Sequence, residues 1–470
     1  MTEKQGDIIA VDAAAPAEVG EVDLYQKREK IYTRAIEGFY QRLRLYTGWP
    51  LLLGYFLLPW VNLGERQAML FDLPERKFHI LWLTFWPQDL VMLAWLLMIS
   101  AFLLFTVTVW AGRVWCGYSC PQTVWTAIFM WIEQKFEGSR NARMKLDKEP
   151  LSFTKFRKRF MKHAGWLFVA FMTGFTFVGY FTPIRELFPD LISGNAGSWA
   201  TVWVGLFTVG TYVNAGWMRE QVCTYMCPYA RFQSVMFDRD TLIVSYDAAR
   251  GEPRGSRKRT GEKDDNLGDC IDCELCVQVC PTGIDIRDGL QYKCIGCALC
   301  IDACDSIMEK MGYEPGLVSY TSENKLEGKP SKVLRPRLIG YILVMTIMVG
   351  AFTTKLLTRD MVDITILRER NQLYVEAPGG MIDNVYKIHL SNLDPEDRTF
   401  RLEFTGIEGV EIIGNQLVTV EGGELAQLTL RVRANPLELS LPATPVTFAA
   451  TRVDDESVTI ESESRFIKPL

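Results

Sequence analysis

Cys270-Ile-Asp-Cys273-Glu-Leu-Cys276-Val-Gln-Val-Cys280-Pro281 is the stretch whose reading decides this chain. It recurs as Cys294-Ile-Gly-Cys297-Ala-Leu-Cys300-Ile-Asp-Ala-Cys304, with Asp305 where the first copy has Pro281. Runs of this spacing hold bacterial 4Fe–4S clusters: three close thiolates wrap one corner of a cube, and the fourth crosses to the other cluster. The spacing therefore assigns one cluster to Cys270, Cys273, Cys276 and Cys304, and a second to Cys294, Cys297, Cys300 and Cys280. Paired zinc sites are the alternative, but zinc uses two C-x2-C pairs across a longer gap, not three cysteines at x2, x2 spacing. Gly283 and Gly296 stand where a chain folding closely round a cluster needs a small residue; ordinary loop glycine reads equally well.

Working outward, four further cysteines form a repeat of their own. Trp115-Cys116-Gly-Tyr118-Ser-Cys120-Pro121 matches Val222-Cys223-Thr-Tyr225-Met226-Cys227-Pro228 in the pattern C-x-Y-x-C-P. Proline suits the first helical position, so Cys120 and Cys227 are expected at helix N-caps, where the helix dipole lowers a thiol pKa. Helical spacing of i and i+4 would put each pair on one face. Together they would offer up to four soft thiolates, suited to Cu(I), zinc or a cluster, or two reversible dithiols. Four inert buried cysteines are the bland alternative. All 12 Cys lie between Cys116 and Cys304, which is unlike a secreted disulfide scaffold and suits a reducing compartment.

Around these motifs lie apolar blocks. Leu45–Leu63, Leu90–Val109, Ala164–Phe181, Trp199–Trp217 and Leu338–Leu357 each hold 18 to 20 residues, which as helices span roughly 30 Å of hydrocarbon. Pro50 and Pro59 interrupt the first. Thr123–Phe136 is shorter and reads as an interfacial or re-entrant helix. Nine Lys and Arg fall within Gly138–Lys162, whereas Thr182–Ser198 holds only Arg185. By the positive-inside rule the former is cytoplasmic and the latter periplasmic. The N-terminus and residues 218–337 are then inside, where clusters are assembled, and the C-terminus is outside. Residues 1–42 show no apolar signal-peptide core, so the first span would act as an uncleaved insertion signal.

The expected organisation is a tail over 1–42, a helical membrane domain over 43–237, a ferredoxin domain over 238–334, a last span over 335–358 and an all-β domain over 359–470. Met1–Lys30 is acidic and reads as disordered. The last segment alternates polar and apolar residues in short runs separated by Gly and Pro, as in an immunoglobulin-like sandwich. Its simplest role is structural or docking. The formal net charge of −5 argues against nucleic-acid binding. His79, His163 and His389 are the only histidines, and no span carries the facing pair that a membrane b-type haem needs.

These features together resemble the cytochrome c oxidase accessory protein family CcoG, also called FixG or RdxA. The resemblance covers nearly the whole chain. It rests on Trp115–Pro121, Cys223–Arg231, the twin cluster runs and the C-terminal β-domain, with Gly48–Pro50 and Leu63–Gln67 adding to it. The resemblance implies a multi-pass inner-membrane protein with two 4Fe–4S clusters. It implies a cupric reductase, Cu(II) to Cu(I), serving cbb3-type oxidase assembly with that machinery and copper carriers as partners. Cys116, Cys120, Cys223 and Cys227 would bind or reduce copper. The electron donor is unnamed. The NapH and NosR membrane ferredoxins share the paired C-x3-C-P motifs, so a quinol dehydrogenase-type carrier is a second reading. A redox-sensing assembly scaffold is a third.

Overall fold

The computed structural model describes residues 30–64, 66–86, 89–257, 266–358, 362–369, 373–394, 396–439 and 441–469. Apart from Lys30, the tail expected to be disordered lies outside the described residues.

The first half of the chain is mainly helical, with a three-stranded antiparallel sheet, Met69–Asp72, Lys77–Ile80 and Leu83–Phe85, after the first helix. It comprises α1 (Phe39–Leu57), α2 (Leu90–Ala111), α3 (Val114–Tyr118), α4 (Pro121–Glu137), α5 (Arg140–Lys148), α6 (Phe153–Val178), α7 (Ile184–Ser193), α8 (Ser198–Thr211) and α9 (Pro228–Met236). α10 (Leu275–Val279) and α11 (Leu299–Met311) belong to the cysteine runs, and α12 (Pro336–Leu357) follows them. Among the described residues, α2 and α12 are long and apolar enough to cross a membrane. Threonines in them return hydroxyl protons to the preceding turn, as Thr108 does to Leu104 O at 2.8 Å and Thr354 to Gly350 O at 2.9 Å, which satisfies these hydroxyls within the helix. The two helices pack together, with Phe102 and Tyr341 rings 6.4 Å apart.

The other three expected spans differ from the sequence reading in their bounds. α1 carries Pro50 without breaking and gives way to a 3-10 turn, Leu58–Trp60. α6 begins eleven residues before the expected Ala164, because a Ser152 cap and a basic stretch extend it on the polar side. α8 runs into a π-helical turn, Tyr212–Met218. Gly174 lets α6 and α8 approach closely, since a Cβ there would stand 2.7 Å from Val204 O.

Strands Ile243–Tyr246 and Val318–Thr321 pair antiparallel and bracket the cysteine runs. The C-terminal part is a sandwich of two antiparallel sheets. In one, Glu411–Ile413, Leu425–Ala434, Met381–Asn392 and Val362–Arg368 lie side by side, with Val375–Ala377 also on the third. In the other the order is Leu417–Val420, Arg398–Thr405, Ala443–Arg452 and Thr459–Ile467. Tyr386, Ile388, Phe400, Phe448 and Phe466 fill the layer between them. The expected all-β domain is an immunoglobulin-like sandwich.

Candidate functional site

The two cysteine runs adopt one backbone design twice. The residue before the second cysteine is left-handed in both copies, Asp272 (φ 54°) and Gly296 (φ 65°), and so is the residue after it, Glu274 (φ 53°) and Ala298 (φ 59°). These turns curl each run inward, and α10 and α11 start directly after them. Asp272 shows that this turn admits a side chain; at Gly296 a Cβ would also stand 3.3 Å from the Arg113 backbone, while Gly283 (φ 70°) faces Ile31.

The curled runs line two adjoining cavities. Cys270, Cys273, Cys276 and Cys304 line one. Cys276, Cys280, Cys294, Cys297 and Cys300 line the other, with Val244, Ile284, Ile286 and Ile295 as apolar wall. Among the described residues no three His, Cys, Asp or Glu side chains converge tightly enough to hold a single metal ion; the thiols surround spaces instead. Burial, then the charges of Cys297, Cys294, Cys280 and Cys276, hold the Cys300 thiol well above the ordinary range. Only a strongly positive centre would keep so many buried sulfurs as thiolates. Donor chemistry and cavity walls therefore fit iron–sulfur clusters.

The C-x-Y-x-C-P repeats also share a backbone. Four residues before the first cysteine, Gly112 (φ 59°, ψ −125°) and Arg219 (φ 47°, ψ −111°) take the same unusual conformation. In each repeat the second cysteine closes a wide turn, Cys120 N to Trp115 O at 2.9 Å and Cys227 N to Val222 O at 2.8 Å. Such π-type turns cluster at functional sites. Cys120 and Cys227 cap α4 and α9, with Pro121 and Pro228 at N1.

Cys116 feels the charges of Cys120, Cys223 and Cys227, yet among the described residues no three of these thiols converge tightly enough to hold one metal ion. The expected fall in thiol pKa at the Cys120 cap does not occur. Burial pushes Cys120 up, outweighing its hydrogen bonds with Thr123 and Gln122. It likewise pushes Cys116 up to about 12 and Cys223 to about 11, although Arg113 opposes both shifts.

Two residues join the thiols to the cluster loops. Arg113, only 8% exposed, donates to Tyr292 O at 2.5 Å, to Cys294 O at 3.0 Å and to Ala230 O at 2.6 Å. It clamps the first repeat, the second cysteine run and α9 at one point. Gly117 lies against the same run so closely that a Cβ would stand 2.8 Å from Gly296 O and 2.9 Å from Cys297 Cα.

Sequence reasoning missed Arg113, and no spacing rule would have found it. It also missed Asp302, whose carboxylate accepts from Tyr40 N at 3.0 Å and Gln41 N at 2.7 Å, so α1 starts against α11. A buried ion cluster was missed too. Glu133 meets Arg219 at 2.8 Å and Arg143 at 3.3 Å. Of the histidines, His79 bonds Thr84 and His163 bonds Tyr212.

Residues 218–323 match a family described as a 4Fe-4S dicluster domain, and residues 91–138 match a 4Fe-4S binding domain. Residues 352–469 match the IG-like fold at the C-terminus of FixG. The nitrogen fixation protein FixG of Rhizobium meliloti is 40% identical over 422 residues, covering 82% of this chain and 80% of its own. This chain belongs to the FixG family. Protein RdxA of Cereibacter sphaeroides is 38% identical over 458 residues, covering 92% of this chain and 95% of its own. A crystal structure of a FixG-related protein from Vibrio parahaemolyticus shares 33% identity, covering 24% of this chain and 99% of that one, with a TM-score of 0.22. The chain is accordingly an iron–sulfur electron-transfer protein related to FixG and RdxA.

Proposed function

We propose that this protein is an inner-membrane cupric reductase that turns Cu(II) into Cu(I) for assembly of a cbb3-type cytochrome oxidase. In this reading Cys270, Cys273, Cys276 and Cys304 hold one 4Fe–4S cluster, and Cys280, Cys294, Cys297 and Cys300 hold the other. When bound, the clusters supply one-electron carriers. Cys116, Cys120, Cys223 and Cys227 receive Cu(II) as substrate; it takes up one electron and is released as Cu(I), which soft thiolates favour. The observation that carries the proposal is the close backbone approach of Gly117 to Cys297, which brings the Cys116–Cys120 repeat against a cluster loop.

Five helices, α1, α2, α6, α8 and α12, cross the membrane in this proposal, with α4 at its cytoplasmic edge. Lys77 in the loop after α1 pairs with Glu424 of the β-sandwich at 2.8 Å, which supports putting both outside. Lys30 pairs with Asp147 at 2.7 Å, and Arg113 with the cluster loop, which supports putting these inside with the basic segment 139–162.

The test is anaerobic mixing of the dithionite-reduced protein with Cu(II) and a Cu(I)-specific chelator. One Cu(I) should form for each cluster reoxidised. No chelate colour, or clusters that stay reduced, would defeat the proposal. Oxidase assembly that survives Cys273→Ser would favour the scaffold reading instead.

A further inference from the structure

A cavity beside the clusters holds none of the four C-x-Y-x-C-P cysteines in its lining. It encloses about 560 Å³, inside the roughly 300–1,000 Å³ typical of small-molecule sites. One wall is α1, through Leu45, Gly48 and Leu52, and another is α4, through Val124, Ala127 and Ile128. The floor is ferredoxin: Val279 and Pro281 flank Cys280, and Leu299 precedes Cys300. Trp49 and Trp131 stand at its edge, 56% and 58% exposed, as rings do where membrane meets water. Its polar groups are few: Gln41, Gln134, Thr33 and Arg34 line it, as does Arg44, whose Nε donates to Gly117 O at 3.1 Å.

We infer that this cavity binds a membrane quinol, which reduces the clusters. The proposal rests on the electron-transfer reading above and names its donor. An apolar chamber built from a membrane helix on one side and cluster-flanking residues on the other selects a lipid-soluble redox molecule. The amides of Gln41 and Gln134 suit a ring carrying two hydroxyls, and the apolar walls suit an isoprenoid tail. Oxidation of one quinol to quinone releases two electrons and two protons; the clusters, when bound, take one electron each, and the protons pass to water.

The experiment uses the full chain in phospholipid nanodiscs and an azido-substituted isoprenoid benzoquinone. Illumination should place adducts within residues 41–52 and 124–134. Excess unlabelled quinone should compete, and added phospholipid should not. Ala127→Trp, which fills the chamber, should cut labelling about tenfold, a loss worth ~1.4 kcal/mol of binding. Gln134→Leu, which keeps the volume, should weaken it as well. In both variants dithionite-driven Cu(II) reduction should persist while quinol-driven reduction falls. Loss of the dithionite-driven reaction in the unaltered chain would instead strike at the copper proposal. Adducts elsewhere, equal competition by phospholipid, or labelling seen only after residues 1–29 are deleted would each overturn the quinol site.

Discussion

Gly117 has no room for a side chain, because the atoms a Cβ would meet are backbone atoms of Gly296 and Cys297. Gly117→Ala should therefore push the two loops apart, at about 1–3 kcal/mol. Cu(II) reduction should slow while iron content stays near that of the unaltered protein, as read by metal analysis beside stopped-flow cluster reoxidation. Arg113 carries a heavier load, since three carbonyls converge on its guanidinium. Arg113→Met should cost about 3 kcal/mol or more, each carbonyl losing a charged donor. The cluster held by Cys294 should be lost first, seen as iron falling from about eight toward four per chain. Cys116, with its thiol pushed up to about 12, is protonated at neutral pH before metal arrives. Copper binding should then release protons, measurable as acidification of a weakly buffered anaerobic sample.

Among the elements, α4 and α5 are held by charge. Glu133 and Arg143 are both 1% exposed, and Arg219 adds a second cation to the same carboxylate. Arg219 sits in a strained left-handed conformation, and the ion pair offsets that cost. Glu133→Gln leaves two buried arginines uncompensated and should destabilise the helical domain by about 3–5 kcal/mol in thermal or denaturant unfolding. The segment preceding α1 is tied to α5 through Asp147. Burial alone would raise that carboxyl, but hydrogen bonds from Lys30 and Tyr32 and the pairing with Arg159 hold it well below the usual range. A depressed carboxyl stabilises the fold above its unfolded value, near 3.9, and loses that contribution as pH falls further. Amide protection factors of residues 30–36, taken relative to the intrinsic exchange rate at each pH, should accordingly be high at neutral pH and fall below about pH 4.

At the scale of the molecule, three parts of the chain meet: helices, cluster loops and the segment before α1. The β-sandwich has a core of its own. Residues 362–470 produced alone should unfold cooperatively with a β-type circular dichroism spectrum, and the chain ending at 361 should keep its iron. The 4Fe–4S character of residues 218–323 was legible in the sequence because an iron–sulfur cube imposes ligand spacing along the chain itself. The sandwich was legible because strand alternation is local. The C-x-Y-x-C-P pairs were visible as a repeat, but their thiol chemistry was misread at Cys120: the helix dipole is a local effect, whereas the burial that outweighs it comes from distant segments. For the same reason spacing could not show that Gly117 touches Cys297, that Arg113 clamps three segments, or that α1 and α4 enclose a chamber over Cys280. What the one-dimensional order determined were the cysteine runs and the elements, which depend on neighbours in the chain. Proximity between remote segments, and with it the route of an electron, was decided only by packing.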